Sequence, residues 1–83
     1  MDKRLAEQEN NTRSSIYDFI VEFITSNGYS PSLREIAKGT GIKSTSTIHD
    51  QLLMLERLGL VHTQGKPRTI SLAGYQLIRK ESN

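Results

Sequence analysis

No cysteine occurs among the 83 residues. Disulfides and cysteine-ligated zinc are therefore excluded. Two histidines alone make a poor metal site, so no metal or other cofactor is expected. Tryptophan is absent as well, which removes the commonest large anchor of a protein-docking face. No apolar run approaches the roughly 20 residues that span a bilayer, and the N-terminus has no signal-peptide core. No membrane partner is expected, and the cytosol is the expected compartment. No glycine-rich phosphate loop or paired carboxylate motif can be read. The sequential His49-Asp50 pair does not make a dyad, because adjacent residues on a helix do not face each other. Catalysis is not expected, and no residue is assigned to it.

What is present suits one small domain with a modest core: 35% of residues are hydrophobic. A chain this short has a thin stability margin. Net charge is only +2, but it is unevenly spread. Residues 28–43 and 60–72 each carry +2, while residues 44–59 between them carry −1. Positive charge therefore flanks a nearly neutral stretch, the pattern of phosphate contacts around a reading surface.

That stretch is Ser44 to Leu58. Ile48, Leu52, Leu55 and Leu58 recur at helical spacing, and the first two turns carry short polar groups. Around it the chain reads in order. Residues 1–11 are polar and are expected as a flexible tail. Thr12 is an expected N-cap, followed by Ile16, Phe19, Ile20, Phe23 and Ile24 on one helical face; Asn27-Gly28 closes this helix. Tyr29-Ser30-Pro31 is an extended connector. Ser32-Leu33-Arg34-Glu35 is a capping box opening a second helix, with Leu33, Ile36 and Ala37 inward and its end near Gly41. Ser44 or Ser46 caps the third helix, and Gly59 ends it. Leu60–Gln64 and Arg68–Leu72 then read as strands joined at Gly65-Lys66-Pro67. Such a hairpin is marginal alone and is expected to pack through Leu60, Ile70 and Leu72. The fold class is thus mainly α with a small antiparallel β-hairpin, a three-helix winged helix-turn-helix over residues 12–72. Residues 73–83, with Tyr75, Leu77 and Ile78, suggest a short helix that then frays.

Donors and acceptors for base edges in a DNA major groove stand at Ser44, Ser46, Thr47, His49 and Asp50. Four of them have a plainer reading: the serines as caps, His49 as an exposed histidine, Asp50 as a carboxylate set against the helix dipole. Arg34, Lys38 and Lys43, with Lys66 and Arg68 on the hairpin, are candidate DNA backbone contacts. Singly each reads as a solvated charge; their joint placement carries the reading. Tyr29 is expected to pack over the corner between the first two helices, with a phosphate contact through its hydroxyl as the alternative.

Four blocks resemble the N-terminal DNA-binding domain of the LexA repressor family: Gly-Tyr-Ser-Pro-Ser-Leu-Arg-Glu-Ile at 28–36, Gly-Ile-Lys-Ser at 41–44, Ser-Thr-Ile-His at 46–49 and Leu-Glu-Arg-Leu-Gly-Leu-Val at 55–61. Lys66-Pro67-Arg68 and Ile70 fit the family's wing, and Ser-Thr-Ile-His is similar to Gram-positive members. The resemblance implies a bacterial transcriptional regulator of the DNA-damage response, acting on double-stranded DNA. Ser44, Ser46, Thr47 and His49 would touch the DNA. It also implies a monomer in solution that pairs on a palindromic operator, with an inverted repeat of GAAC and GTTC as the first probe. The larger repressors of the family carry a second, self-cleaving domain. These 83 residues hold none of it, so self-cleavage is not expected of them. Asp50 departs from the small or neutral residue expected there. The rival reading is a winged helix that docks a protein partner.

Overall fold

The structure, a computed structural model, describes the backbone of residues 3–73 and the side chains of residues 11–73. Three helices, α1 (Lys3–Asn27), α2 (Leu33–Thr40) and α3 (Thr45–Arg57), precede two strands, β1 (Val61–His62) and β2 (Ser71–Leu72). The strands pair antiparallel, Val61 opposite Leu72 and His62 opposite Ser71. This is the mainly α, three-helix winged helix-turn-helix expected from the sequence. The expectation for residues 74–83 lies outside the described residues.

α1 starts earlier than expected. Its backbone is helical from Lys3, so Thr12 lies inside the helix instead of capping it, and residues 3–11 continue α1. No proline or glycine interrupts Lys3–Asn27, and the early residues include Leu, Ala, Glu and Gln, which are good helix formers. At its other end Gly28 adopts φ 79° and its N–H bonds the Ile24 carbonyl at 2.8 Å. α2 opens with the full capping box. Ser32 Oγ accepts from the Glu35 N–H at 3.2 Å, and the Ser32 N–H donates to Glu35 Oε1 at 2.9 Å. Gly41, left-handed at φ 77°, closes it. α3 is capped by Ser44, whose Oγ accepts from the Thr47 N–H at 3.3 Å, which decides between the two serines. It ends in a Schellman turn. The Leu60 N–H reaches the Leu55 carbonyl, the Gly59 N–H reaches that of Glu56, and Gly59 is left-handed.

The core collects one stripe from each element: Ile16 and Ile20, then Ile36, then Ile48, Leu52 and Leu55, then Val61, Ile70 and Leu72. Phe19 and Ile24 pack against it half-buried. Three leucines expected inside are exposed: Leu33 at 36%, Leu58 at 56% and Leu60 at 40%. Leu58 is the C-cap, where the helical period stops governing direction. For Leu60 the cause is register. Directly opposed residues of an antiparallel pair share a face, so burying Leu72 also buries its partner Val61 and turns its neighbours outward. Leu33 is the first residue of α2, one turn before the buried stripe.

The strands are also shorter than the expected Leu60–Gln64 and Arg68–Leu72. Beyond His62 the ladder gives way to side-chain bonds around one hydroxyl. Thr69 Oγ1 donates to the Lys66 carbonyl at 2.7 Å and accepts from the Gln64 N–H at 3.2 Å. Arg68 is left-handed at φ 59°, and Pro67 has no N–H to offer. A regular ladder cannot run through that pair.

One glycine inside a helix has a packing cause. A Cβ built on Gly39 would lie 1.9 Å from Phe19 Cε2, so the α1 ring sits directly on the α2 backbone. Gly→Ala inside a helix ordinarily stabilises by about 1 kcal/mol. Here Gly39→Ala should destabilise, by about 1–3 kcal/mol, because the ring must move. Urea unfolding would measure it, and the loss should shrink when Phe19→Leu is combined with it. A stabilised single variant would show that the ring is not held there.

Candidate nucleic-acid interface

α3 is seated by its apolar stripe, and its flanks are tied on both sides. Toward α1, Arg13 Nε donates to Gln51 Oε1 at 2.9 Å. Toward the wing, the Thr63 N–H reaches Glu56 Oε2 at 3.5 Å, a long contact. With Ile48, Leu52 and Leu55 buried, helical spacing turns Ser46 and Asp50 outward on one strip, four residues apart. Both are exposed, as are Ser44 and His49. His49 faces the wing side, where α3, the start of α2 and the wing enclose a groove of about 550 Å³. Thr47 is half-buried, one turn before Gln51, and is the least accessible of the five expected base readers.

The same outward strip continues to Leu53, 45% exposed, and to Arg57, also exposed. Neither was singled out from the sequence. Counting three and then four residues on from Asp50 would have found both.

The expected backbone contacts divide. Arg34, Lys38, Lys43 and Lys66 are exposed, and Arg34 on α2 and Lys66 on the wing both line the groove. Arg68 is exposed too, with 45% of its side chain accessible, but its guanidinium turns to the protein. Its Nη1 lies 2.9 Å from Glu35 Oε1 and donates to the Ser30 carbonyl at 3.0 Å, while Nη2 donates to Glu35 Oε2 at 3.1 Å. Its guanidinium carbon also lies 5.1 Å from the centre of the Tyr29 ring, which is set edge-on to Phe23. Tyr29 thus packs at the corner as expected, with Arg68 over it. Next to this cluster, buried Ser30 accepts the Ile70 N–H on its hydroxyl at 3.1 Å.

Glu35 therefore serves two elements with one carboxylate. The Ser32 backbone N–H, and after it the Arg68 guanidinium, hold its pKa below the usual glutamate range. The same pair raises that of Arg68. Among the described residues, no group of three His, Asp or Glu side chains is placed to hold a metal, and no helix is long and apolar enough to cross a membrane.

A model of the LexA DNA binding domain matches residues 8–69. The LexA repressor of Clostridium novyi is 41% identical over 78 residues, which are 93% of this chain and 38% of that protein. The LexA repressor of Clostridium kluyveri is 46% identical over 69 residues, 82% of this chain and 34% of the relative. That of Clostridium tetani is 39% identical over 72 residues. The chain spans little more than a third of the length of these relatives.

Glu35 predicts an acid response. Its folded pKa lies below the ~4.3 of an unperturbed glutamate, so its contribution is present above that pH and is lost as pH falls through the folded value. Thermal melting followed from pH 6 to pH 2.5, a range chosen about those values, should show a steeper acid limb for the parent than for Glu35→Gln. Superimposable limbs would count against this role.

Proposed function

The chain belongs to the LexA DNA-binding domain family, and from that premise we propose that it is a sequence-specific double-stranded DNA-binding regulator of transcription, acting as a repressor. The observation that carries the reading is the exposed polar front of α3, flanked by cations on α2, on the turn before α3 and on the wing. In this reading α3 enters the major groove with its N-terminal turns at the base edges. Ser44 and Ser46 offer hydroxyls, which donate or accept; Ser44 can still donate while its oxygen caps the helix. Thr47 can set its methyl against thymine, and His49 can donate to guanine N7 or O6. Asp50 accepts from a cytosine amino group and repels phosphates, so it narrows the site by rejection as well as by attraction. Arg34, Lys38 and Lys43 contact one backbone and Lys66 the other side of the groove. The positive end of α3 favours a phosphate beside Ser44.

One such domain covers a single half-site and binds it weakly. Two copies on an inverted repeat gain by avidity, so the reading includes a monomer in solution that pairs on a palindromic operator. Nothing in the chemistry of the α3 front calls for a cofactor or a catalytic step. A protein-docking role has one observation in its favour, the exposed leucines 58 and 60 at the far end of α3. They lie away from the polar front and are compatible with DNA binding there.

Gel retardation on a duplex carrying an inverted repeat of GAAC and GTTC tests this. Binding should weaken steeply with salt, and each phosphate-contacting cation removed should lower the slope of log K against log salt by about 0.9. Lys43→Ala should weaken all duplexes alike. Ser46→Ala or His49→Ala should instead erode the preference for the repeat, by about 1 kcal/mol for a single hydrogen bond. Equal binding of repeat and scrambled duplexes at every salt would overturn the specificity, and a tight dimer without DNA in sedimentation would overturn the pairing scheme.

A further inference from the structure

The wing has little of its own to hold it. Four residues pair, and the rest of the loop is kept by the Thr69 hydroxyl. A two-stranded ribbon this small has no independent stability. Its attachment to the helix-turn-helix is therefore made by groups outside the ladder. Buried Val61, Ile70 and Leu72 anchor its base. Ahead of that base stands Arg68, in a left-handed conformation that a non-glycine residue adopts at some cost. That conformation delivers the guanidinium to three partners at once: both oxygens of Glu35, the Ser30 carbonyl and the face of Tyr29. All three lie on the segment that leads into α2 or on its first turn.

We propose that Arg68 and Glu35 form a latch that positions the wing beside α3, and that Arg68 does not act as a DNA backbone contact. The latch rests on the DNA-binding reading above. A guanidinium gripped by a carboxylate in fork geometry is neutralised locally, so the N–H groups it has left over attract a phosphate only weakly. Lys66, exposed at the loop and lining the groove, is then the wing's phosphate contact. The latch lowers the ordering cost of binding by holding Lys66 at a set distance from Arg34 across the groove.

The two roles of Arg68 predict opposite signs for one substitution. Glutamine is an accepted capping-box residue, so Glu35→Gln keeps the start of α2 while removing the charge. If Arg68 were a phosphate contact, Glu35→Gln would free its charge and tighten binding. If the pair is a latch, Glu35→Gln loosens the wing and weakens binding, on the order of two- to tenfold, the size of one side-chain ordering penalty. Arg68→Gln should cause a similar loss with the salt slope unchanged, whereas Lys66→Ala should lower the slope by about 0.9. Arg68→Lys should not rescue, since an ammonium lacks the fork.

Wing position can be read without DNA. The chain has no cysteine, so spin labels attach only at introduced sites; Gln64→Cys on the wing and Ser26→Cys on α1 are both exposed positions. The parent should give a narrow distance distribution, and Glu35→Gln and Arg68→Gln should broaden it, while circular dichroism keeps its helical signal. A distribution that stays narrow in both variants overturns the latch, as does tighter binding by Glu35→Gln. A parent that retains no duplex at any salt overturns the DNA reading, and the label distances still decide whether the pair holds the wing.

Discussion

The Glu35 carboxylate is the constraint on which the arrangement of the domain depends. One oxygen accepts the Ser32 N–H and so completes the start of α2. Both oxygens meet the Arg68 guanidinium and so tie the wing to that same turn. Charge-assisted bonds in fork geometry set direction as well as distance. The apolar contacts of Ile70 and Leu72 are non-directional and would tolerate a tilt of the ribbon. An exposed pair of this kind adds little to global stability, and its value here is geometric.

Much of this fold was legible in the sequence because its punctuation is strong. The capping box at Ser32–Glu35, the glycines at 28, 41 and 59 and the apolar period of α3 from Ile48 to Leu55 each have a local cause, and each stands where it was read; only Leu58, at the cap, turns outward. The errors share a different origin. The α1 start at Lys3, the outward turn of Leu60 and the short strands all depend on what a residue meets elsewhere in the chain or on signals that compete locally. Thr12 has good capping chemistry, but no helix breaker precedes it, so the helix runs through. Leu60 and Val61 are equally apolar, and only pairing with Leu72 decides between them. Gly39 carried no readable signal, because the Phe19 ring that requires it lies on another helix.

The candidate site was legible in part for the same reason. Short polar residues on the first turns of α3 follow from periodicity alone, and four of the five are exposed. Thr47 is less accessible because it shares a side of α3 with Gln51, which is tied to Arg13. Arg68 illustrates the limit. Its charge is visible in the sequence, but its partner, Glu35, stands 33 residues earlier. A basic residue in a basic segment reads as a phosphate contact, and the carboxylate it meets is visible only in the fold.

The geometry also divides labour between the two sides of α3. The buried stripe of Ile48, Leu52 and Leu55 sets the rotation of the helix about its axis, and so which residues face outward. Directional groups flank that stripe: Arg13 on Gln51 at one side, and at the other the Thr63 amide near Glu56. The first ties α3 to α1, and the second links it to the wing that Glu35 holds from the other end. The outward strip of Ser46, Asp50, Leu53 and Arg57 is therefore aimed by the buried stripe and by the polar contacts beside it, all of which lie outside the strip. A surface built this way can change the residues of its strip without altering the contacts that aim it.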